Sequence, residues 1–279
     1  MPRPGETALA TSASRGPGGK GLNQAVASAR AGADTRFLGS LGSDPFGDEL
    51  ASELVDAGIG CDGVRRTSGD TGQAVILVDG SGENLIVVAS GANAEFTALA
   101  DADRAVIATA RVLLMQLELP VPLVAQAARA GREAGALVIL NAAPAALLPD
   151  ELFASLDVLV VNEHEAVVLS GRDDVHEAAL ALAQRVPTLI VTLGADGSSI
   201  YREGALTASV PAVPVVAVDT TGAGDTYCGA LGAALAEGRT MVEAVRYATS
   251  AAALSVQERG AVRSIPSRRD IDRLMKEQS

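Results

Sequence analysis

Aromatic residues are nearly missing from this 279-residue chain: they make up 3% of it, and tryptophan is absent. An interior must therefore be assembled from Val, Leu, Ile and Ala, for which the 48% hydrophobic content is ample. Cysteine is as scarce. Cys61 and Cys228 are too few and too distant for a disulfide framework or a Cys-rich zinc site, so a reducing cytoplasm is the expected compartment. No charged segment followed by an apolar one opens the chain, and no apolar run approaches ~18 residues, so neither export nor a membrane span is expected. Positive charge is short too. The formal net charge is -12, which argues against a nucleic-acid partner, because binding a phosphate backbone needs clustered Lys and Arg. A small phosphate ligand stays open, since backbone N–H groups at a helix N-terminus and a divalent cation can make a local positive site. Lysine occurs only as Lys20 and Lys276, neither followed by Ser or Thr, which excludes a Walker P-loop. His-Arg-Asp and Asp-Phe-Gly are both absent, which excludes the protein-kinase constellation.

The length suits one large α/β domain over 1–279 and does not require two equal ones. From about residue 110 onward, short β-branched runs alternate with amphipathic stretches, the pattern of parallel strands joined by crossover helices. The expected architecture is a doubly wound, mostly parallel sheet with helices on both faces. The runs 112–117, Leu137–Asn141, Val158–Asn162 and Thr188–Thr192 are almost continuously apolar, as strands buried on both faces are. Helices are expected at about 22–31, 44–57, 121–134, 176–185, 225–237, 241–256 and 268–277, with Gly58 and Gly238 as stops for two of them. Residues 73–89 differ: strand-like runs at 74–78 and 85–89 flank a turn-rich stretch at 79–84, which predicts a hairpin. Its apolar face needs cover, so the hairpin is expected to act as a lid over a site or as a contact between two copies.

The most specific motif is Asp219-Thr220-Thr221-Gly222-Ala223-Gly224-Asp225-Thr226, where the apolar run 213–218 gives way to a helix. Glycines at a strand-to-helix turn leave the N–H groups of Gly222, Ala223 and Gly224 free to face an anion, which the helix dipole favours. Asp225 then stands beside that anion, placed to accept a proton from an attacking hydroxyl. Taken alone, an Asp at a helix start is a cap far more often than a base, and it is the surrounding Gly-Ala-Gly that shifts the balance at Asp225. In Gly18-Gly19-Lys20-Gly21-Leu22-Asn23-Gln24-Ala25, the glycines admit a polar ligand and Lys20 and Asn23 offer hydrogen-bonding heads; a turn feeding an amphipathic helix accounts for the same residues. Asn162-Glu163-His164-Glu165 follows a predicted strand, where Asn162 and Glu165 suit Mg²⁺ and phosphate through water, or merely an acidic first helical turn. Glu118 ends another strand, and Thr192-Leu193-Gly194-Ala195-Asp196-Gly197 ends a fourth. Polar residues from several strand ends thus converge on one sheet edge, which separate structural explanations account for less economically.

Together with Ser-Gly-Ala-Asn-Ala at 90–94 and Met-Gln-Leu-Glu at 115–118, these motifs resemble the ribokinase-like (phosphofructokinase-B) carbohydrate kinase family over nearly the whole chain. The resemblance implies that Asp225 is the catalytic base, with Gly222, Ala223 and Gly224 as an anion hole. It implies that Gly19, Lys20, Gly21, Asn23 and Glu118 hold a sugar, and that Asn162, residues 192–197, Gly224 and Thr249 meet the nucleotide. Glu165 would serve Mg²⁺ through water, and Asp219, Thr221, Ser255, Glu258, Gly260 and Ser264 a monovalent cation, K⁺, partly through backbone carbonyls. The implied reaction transfers the γ-phosphoryl of ATP to the 5-hydroxyl of D-ribose, in a homodimer joined through lid segments at about 5–15 and 73–89. A related sugar or nucleoside as acceptor, or an inactive sugar- or nucleotide-binding protein, are the alternatives. Family members open with a strand ending in a Gly-Ser-x-Asn-x-Asp-like segment. Here Met1-Pro2-Arg3-Pro4-Gly5-Glu6-Thr7 matches a later lid turn, so a sugar carboxylate and an interior strand are expected to be missing.

Overall fold

The computed structural model of the chain describes residues 5–78 and 84–278. Its centre is a six-stranded sheet in the order β10-β9-β8-β7-β6-β5. The strands are β5 (Val112–Met115), β6 (Leu137–Asn141), β7 (Val158–Asn162), β8 (Thr188–Thr192), β9 (Ser198–Arg202) and β10 (Ala205–Val210). β5 to β8 pair in parallel, while β9 and β10 add antiparallel. Alternation along each strand divides the interior in two. Val138, Leu140, Leu159, Val161, Leu189 and Val191 face one core, whereas Ile139, Val158, Val160 and Ile190 face the other. The first core is closed by α5 (Val121–Ala134), α7 (Glu163–Ser170) and α8 (Val175–Ala183). The second is closed by α9 (Ala223–Ala236), α10 (Met241–Ser255) and α12 (Arg268–Glu277). Both faces are covered, so the expected doubly wound α/β layout holds.

Three expected strands have the predicted limits, but 112–117 is shorter than expected. It ends at Met115, opposite Leu140, because β6 has only Asn141 left; Leu117 N then donates to Ala143 O at 2.9 Å. The apolar run 213–218 is not a strand either. The ladder stops at Val210, and Pro211 and Pro214, which lack N–H donors, carry the chain as an extended segment to the start of α9. α1 (Lys20–Arg30) begins two residues before its expected start, and so does α9.

A smaller parallel pair, β1 (Arg36–Gly42) with β2 (Gly60–Thr67), carries α2 (Pro45–Asp56) between its strands. The expected hairpin is β3 (Gln73–Val78) against β4 (Asn84–Ala89); its turn at 79–83 lies outside the described residues. Its root is held by Asp44, whose carboxylate accepts Thr71 N at 2.8 Å and Thr71 Oγ1 at 2.5 Å. Residues 5–15 are exposed, with Arg15 paired to Glu49 at 3.0 Å. β1, β5, α1, the hairpin and the start of α9 line a cleft of about 2270 Å³.

Candidate active site

The cleft floor is built where α1 crosses α9. Gly229 permits that crossing: a Cβ there would press on the Gln24 carbonyl, on Ala27 and on Ser28 more closely than real Cβ atoms approach. Ser28 Oγ lies 2.9 Å from Gln24 O and 3.0 Å from Gly229 O, and its single proton, shared between the two carbonyls, ties the two backbones together. The first turn of α1 is thereby brought over the first turn of α9.

Asp225 sits in that turn, but it is not the cap. Gly222, at φ 75°, occupies the N-cap position, while the Asp225 carboxylate points inward and is 6% exposed. Oδ2 accepts Asn23 Nδ2 at 2.8 Å and Oδ1 accepts Gln24 Nε2 at 3.0 Å. Burial pushes the Asp225 carboxyl above the usual range; the Lys20 ammonium and the two amide donors oppose that shift. Ahead of it, Ala223 N donates to Thr220 O at 3.2 Å. Among the described residues no backbone acceptor takes the N–H of Gly222 or Gly224, so these two amides remain for a ligand.

Glu118 reaches the same cleft from the loop after β5, and its Oε2 accepts the Lys20 N–H at 2.8 Å. Gly19, at φ 100°, allows the chain to turn there, in a backbone conformation that residues with a Cβ rarely adopt. Gly21 lies against the Phe37 ring. Burial raises the Glu118 carboxyl, and that of Glu165, with Lys20 opposing both. Asn162 and Glu165 form a reciprocal capping box on α7, with Glu165 N on Asn162 Oδ1 and Asn162 N on Glu165 Oε2, each at 2.8 Å. The capping role is therefore real, and one carboxylate oxygen of Glu165 is left for other work.

Asp219 joins two loops: its carboxylate accepts Thr221 N and Gly260 N, each at 2.9 Å, and these bonds hold its pKa below the usual range. Val218 N and Asp219 N both reach Val256 O, at 2.7 and 3.2 Å. Ser255 and Ser264 spend their hydroxyl protons on the carbonyls of Ala252 and Ala261, and Glu258 is exposed. Backbone carbonyls and the Asp219 carboxylate remain as hard oxygen donors, a set that suits a monovalent cation.

The cleft gathers Gly19, Lys20, Gly21, Asn23, Glu118, Glu165, Asp219, Thr221, Gly222, Asp225 and Gly260. Asn162, residues 192–197, Ala223, Gly224, Thr249, Ser255, Glu258 and Ser264 do not line it. Leu193 N and Gly197 O close the 192–197 turn at 2.8 Å, and Thr249 Oγ1 bonds Val245 O within α10. Gln24, which bonds Asp225, and Asn141, which bonds Gln24, are not among the site residues predicted from the sequence. Both are buried polar groups, Gln24 inside α1 and Asn141 at the end of β6, a signal that their apolar neighbours obscure.

A family model described as pfkB family carbohydrate kinase matches residues 2–268, and the chain belongs to that family of carbohydrate kinases. Within it, the similarity runs to ribokinases. The ribokinase of Haemophilus influenzae is 40% identical over 276 residues, covering 96% of this chain and 90% of its own length. That of Schizosaccharomyces pombe is 38% identical over 274 residues, covering 93% and 86%. The structure of Arabidopsis thaliana ribokinase complexed with ribose and ATP matches with a TM-score of 0.91 at 35% identity, covering 99% of this chain and 93% of that one.

The crossing makes a prediction. Gly229→Ala forces α1 away from α9, so it is expected to lower stability by about 1–3 kcal/mol. It also loosens both amide bonds to Asp225. Stability in denaturant and steady-state turnover should fall together, whereas Gly238→Ala, strained by its φ of 86° but outside the cleft, should lower stability and leave turnover per folded molecule unchanged.

Proposed function

We propose that the chain transfers the γ-phosphoryl group of ATP to the 5-hydroxyl of D-ribose. The observation that carries this reading is the buried Asp225 carboxylate, held by two amide donors, in the same helical turn as the free N–H groups of Gly222 and Gly224. Lys20, Asn23 and Glu118 offer a polyhydroxylated sugar both donors and acceptors. Asn23 Oδ1 is buried without a partner, as an atom awaiting a hydroxyl proton would be. In the reaction, Asp225 accepts the hydroxyl proton while the sugar oxygen bonds to the γ-phosphorus and the bond to the ADP oxygen breaks. The N–H groups of Gly222 and Gly224 take the charge that develops on the transferred group.

Among the described residues no cluster of three or more His, Cys, Asp or Glu could hold a metal unaided. Mg²⁺ would therefore be bound by the nucleotide phosphates, with Glu165 and Asn162 reaching it through water; when bound it neutralises phosphate charge. K⁺ would lie between Asp219 and the carbonyls of the 255–264 loop, and residues 192–197 with Thr249 would flank the nucleotide. The reading includes a reducing, cytoplasmic setting, in keeping with free Cys61 and Cys228.

The hairpin completes it. Ala74, Ile76, Ile86 and Val88 line the cleft and would close over the sugar. Val75, Leu77, Leu85 and Val87, on the opposite face and 41–58% exposed, would pair with a second copy.

Three outcomes test this reading. Asp225→Asn should retain ATP affinity but lower kcat on ribose by about 10²–10⁴-fold. In the unaltered chain, activity should fall as pH drops through the raised Asp225 pKa. Stability has the opposite sign: a carboxyl whose folded pKa exceeds its unfolded one destabilises increasingly as pH rises from the unfolded value through the folded value. Asp225→Asn should accordingly melt no lower than the unaltered chain at neutral pH. Near-normal turnover in this variant would overturn the assignment of the base.

Replacing K⁺ with tetramethylammonium should slow turnover, and Asp219→Ala should abolish that difference. An Asp219→Ala enzyme that still responds to K⁺ would place the cation elsewhere. Val75→Thr combined with Val87→Thr should shift the sedimentation of the chain from dimer to monomer at micromolar concentration. A wild type that sediments as a monomer would dismiss the paired hairpin.

A further inference from the structure

Gln24 is 1% exposed, and both protons of its amino group are committed. Nε2 donates to Asp225 Oδ1 at 3.0 Å and to Asn141 Oδ1 at 3.1 Å. Asn141, at the end of β6, in turn points Nδ2 at Val160 O, 3.4 Å away in the neighbouring strand. A backbone carbonyl can only accept, so it is the amino end of Asn141 that must face Val160. That places the Asn141 oxygen toward Gln24, and the Gln24 amino group is then the end that faces Asp225. A fixed acceptor inside the sheet thus dictates which end of a distant amide meets the carboxylate. Asn23 binds the other oxygen of Asp225, but among the described residues no second side chain orients its amide in this way, and its own oxygen is buried without a partner.

We infer that Gln24, oriented through Asn141 by the Val160 carbonyl, is a positioning residue that keeps the Asp225 carboxylate ionised and correctly turned for proton abstraction. The inference deepens the proposed kinase reading and rests on it for the role of Asp225. The other ionisable groups acting on Asp225 are Lys20 from α1, Glu118 after β5, Glu165 on α7 and Cys228 on α9. Lys20 favours its ionised form and the two glutamates oppose it. The Cys228 thiol is held neutral by full burial. Against two carboxylates and desolvation there is a single cation, so each amide donor matters. Gln24 Oε1 is buried without a partner, a cost that is accepted to keep the amino group facing the carboxylate.

The test is the proton on Asp225. Gln24→Met keeps the volume and removes the donor; Asn141→Leu touches neither Asp225 nor the cleft and frees Gln24 to turn. In both variants the acidic limb of kcat against pH is expected to move up by about one unit. Turnover then falls about tenfold below the limb and recovers at high pH. A loss of turnover that is uniform across pH, with the limb in place, would mean a packing role and would overturn the inference. Carbonyl-detected NMR of Asp-labelled protein reads the same shift without any sugar, using the resonance missing from Asp225→Asn. If ribose is not phosphorylated at all, the proposed reaction fails while the NMR titration still decides the role of Gln24. An Asp225 resonance that titrates at the same pH in the unaltered chain and both variants would refute it.

Discussion

A carboxylate nearly sealed from water must find its hydrogen-bond donors inside the protein, and at Asp225 those donors come from a helix more than two hundred residues away in sequence. Everything around the cleft follows from that demand. Asn23 and Gln24 are consecutive residues of α1, so both can reach Asp225 only if α1 lies directly on α9. That closeness requires a position without a side chain on α9, which Gly229 supplies, and the shared Ser28 hydroxyl locks the contact. α9 in turn is held by the apolar residues Tyr227, Ala230, Leu231 and Ala234 against the sheet face carrying Ile139, Val158, Val160 and Ile190. The packing of the sheet therefore sets the position of one carboxyl group.

The electrostatics of the cleft are those of an acidic protein gathering negative groups where it will also receive negative phosphates. Burial raises Glu118, Glu165 and Asp225 together, and Lys20 is the cation that opposes all three. Its backbone N–H already serves Glu118, which leaves the ammonium free for the cleft. Further relief has to come from neutral dipoles: two side-chain amides on Asp225, a backbone N–H on each glutamate, and the N-terminal ends of α7 and α9. Such dipoles stabilise charge without adding a positive surface, which is how a chain of net charge -12 can be built to meet a phosphorylated ligand.

Much of this was legible from the sequence because strands buried on both faces leave a strong signal. Leu137–Asn141, Val158–Asn162 and Thr188–Thr192 are bounded by polar residues, and their limits are those predicted. The glycine motif at 219–226 likewise marked the start of α9 and the position of Asp225. The failures have physical causes. The run 213–218 is as apolar as any strand, but with two prolines at 211 and 214 and no free ladder beyond Val210 it stays extended and unpaired. The end of β5 depended on how far β6 ran beside it, which the residues of β5 themselves do not encode.

Gln24 and Asn141 were hidden for a different reason. Polar side chains in an amphipathic helix and at a strand end read as ordinary surface residues, and only tertiary packing turns them inward. Once packed, they obey a stricter logic than the residues that line the cleft, since a buried amide with the wrong end inward loses two hydrogen bonds at once. Each lost bond to a charged group is worth about 1.5–3 kcal/mol. Asn23 has no such relay: its oxygen is buried without a partner, so a ligand hydroxyl can bond it without displacing a protein group. One carboxylate is thus held by a donor wired into the sheet and another left adaptable, so Asp225 can keep its orientation while the cleft around it changes occupancy.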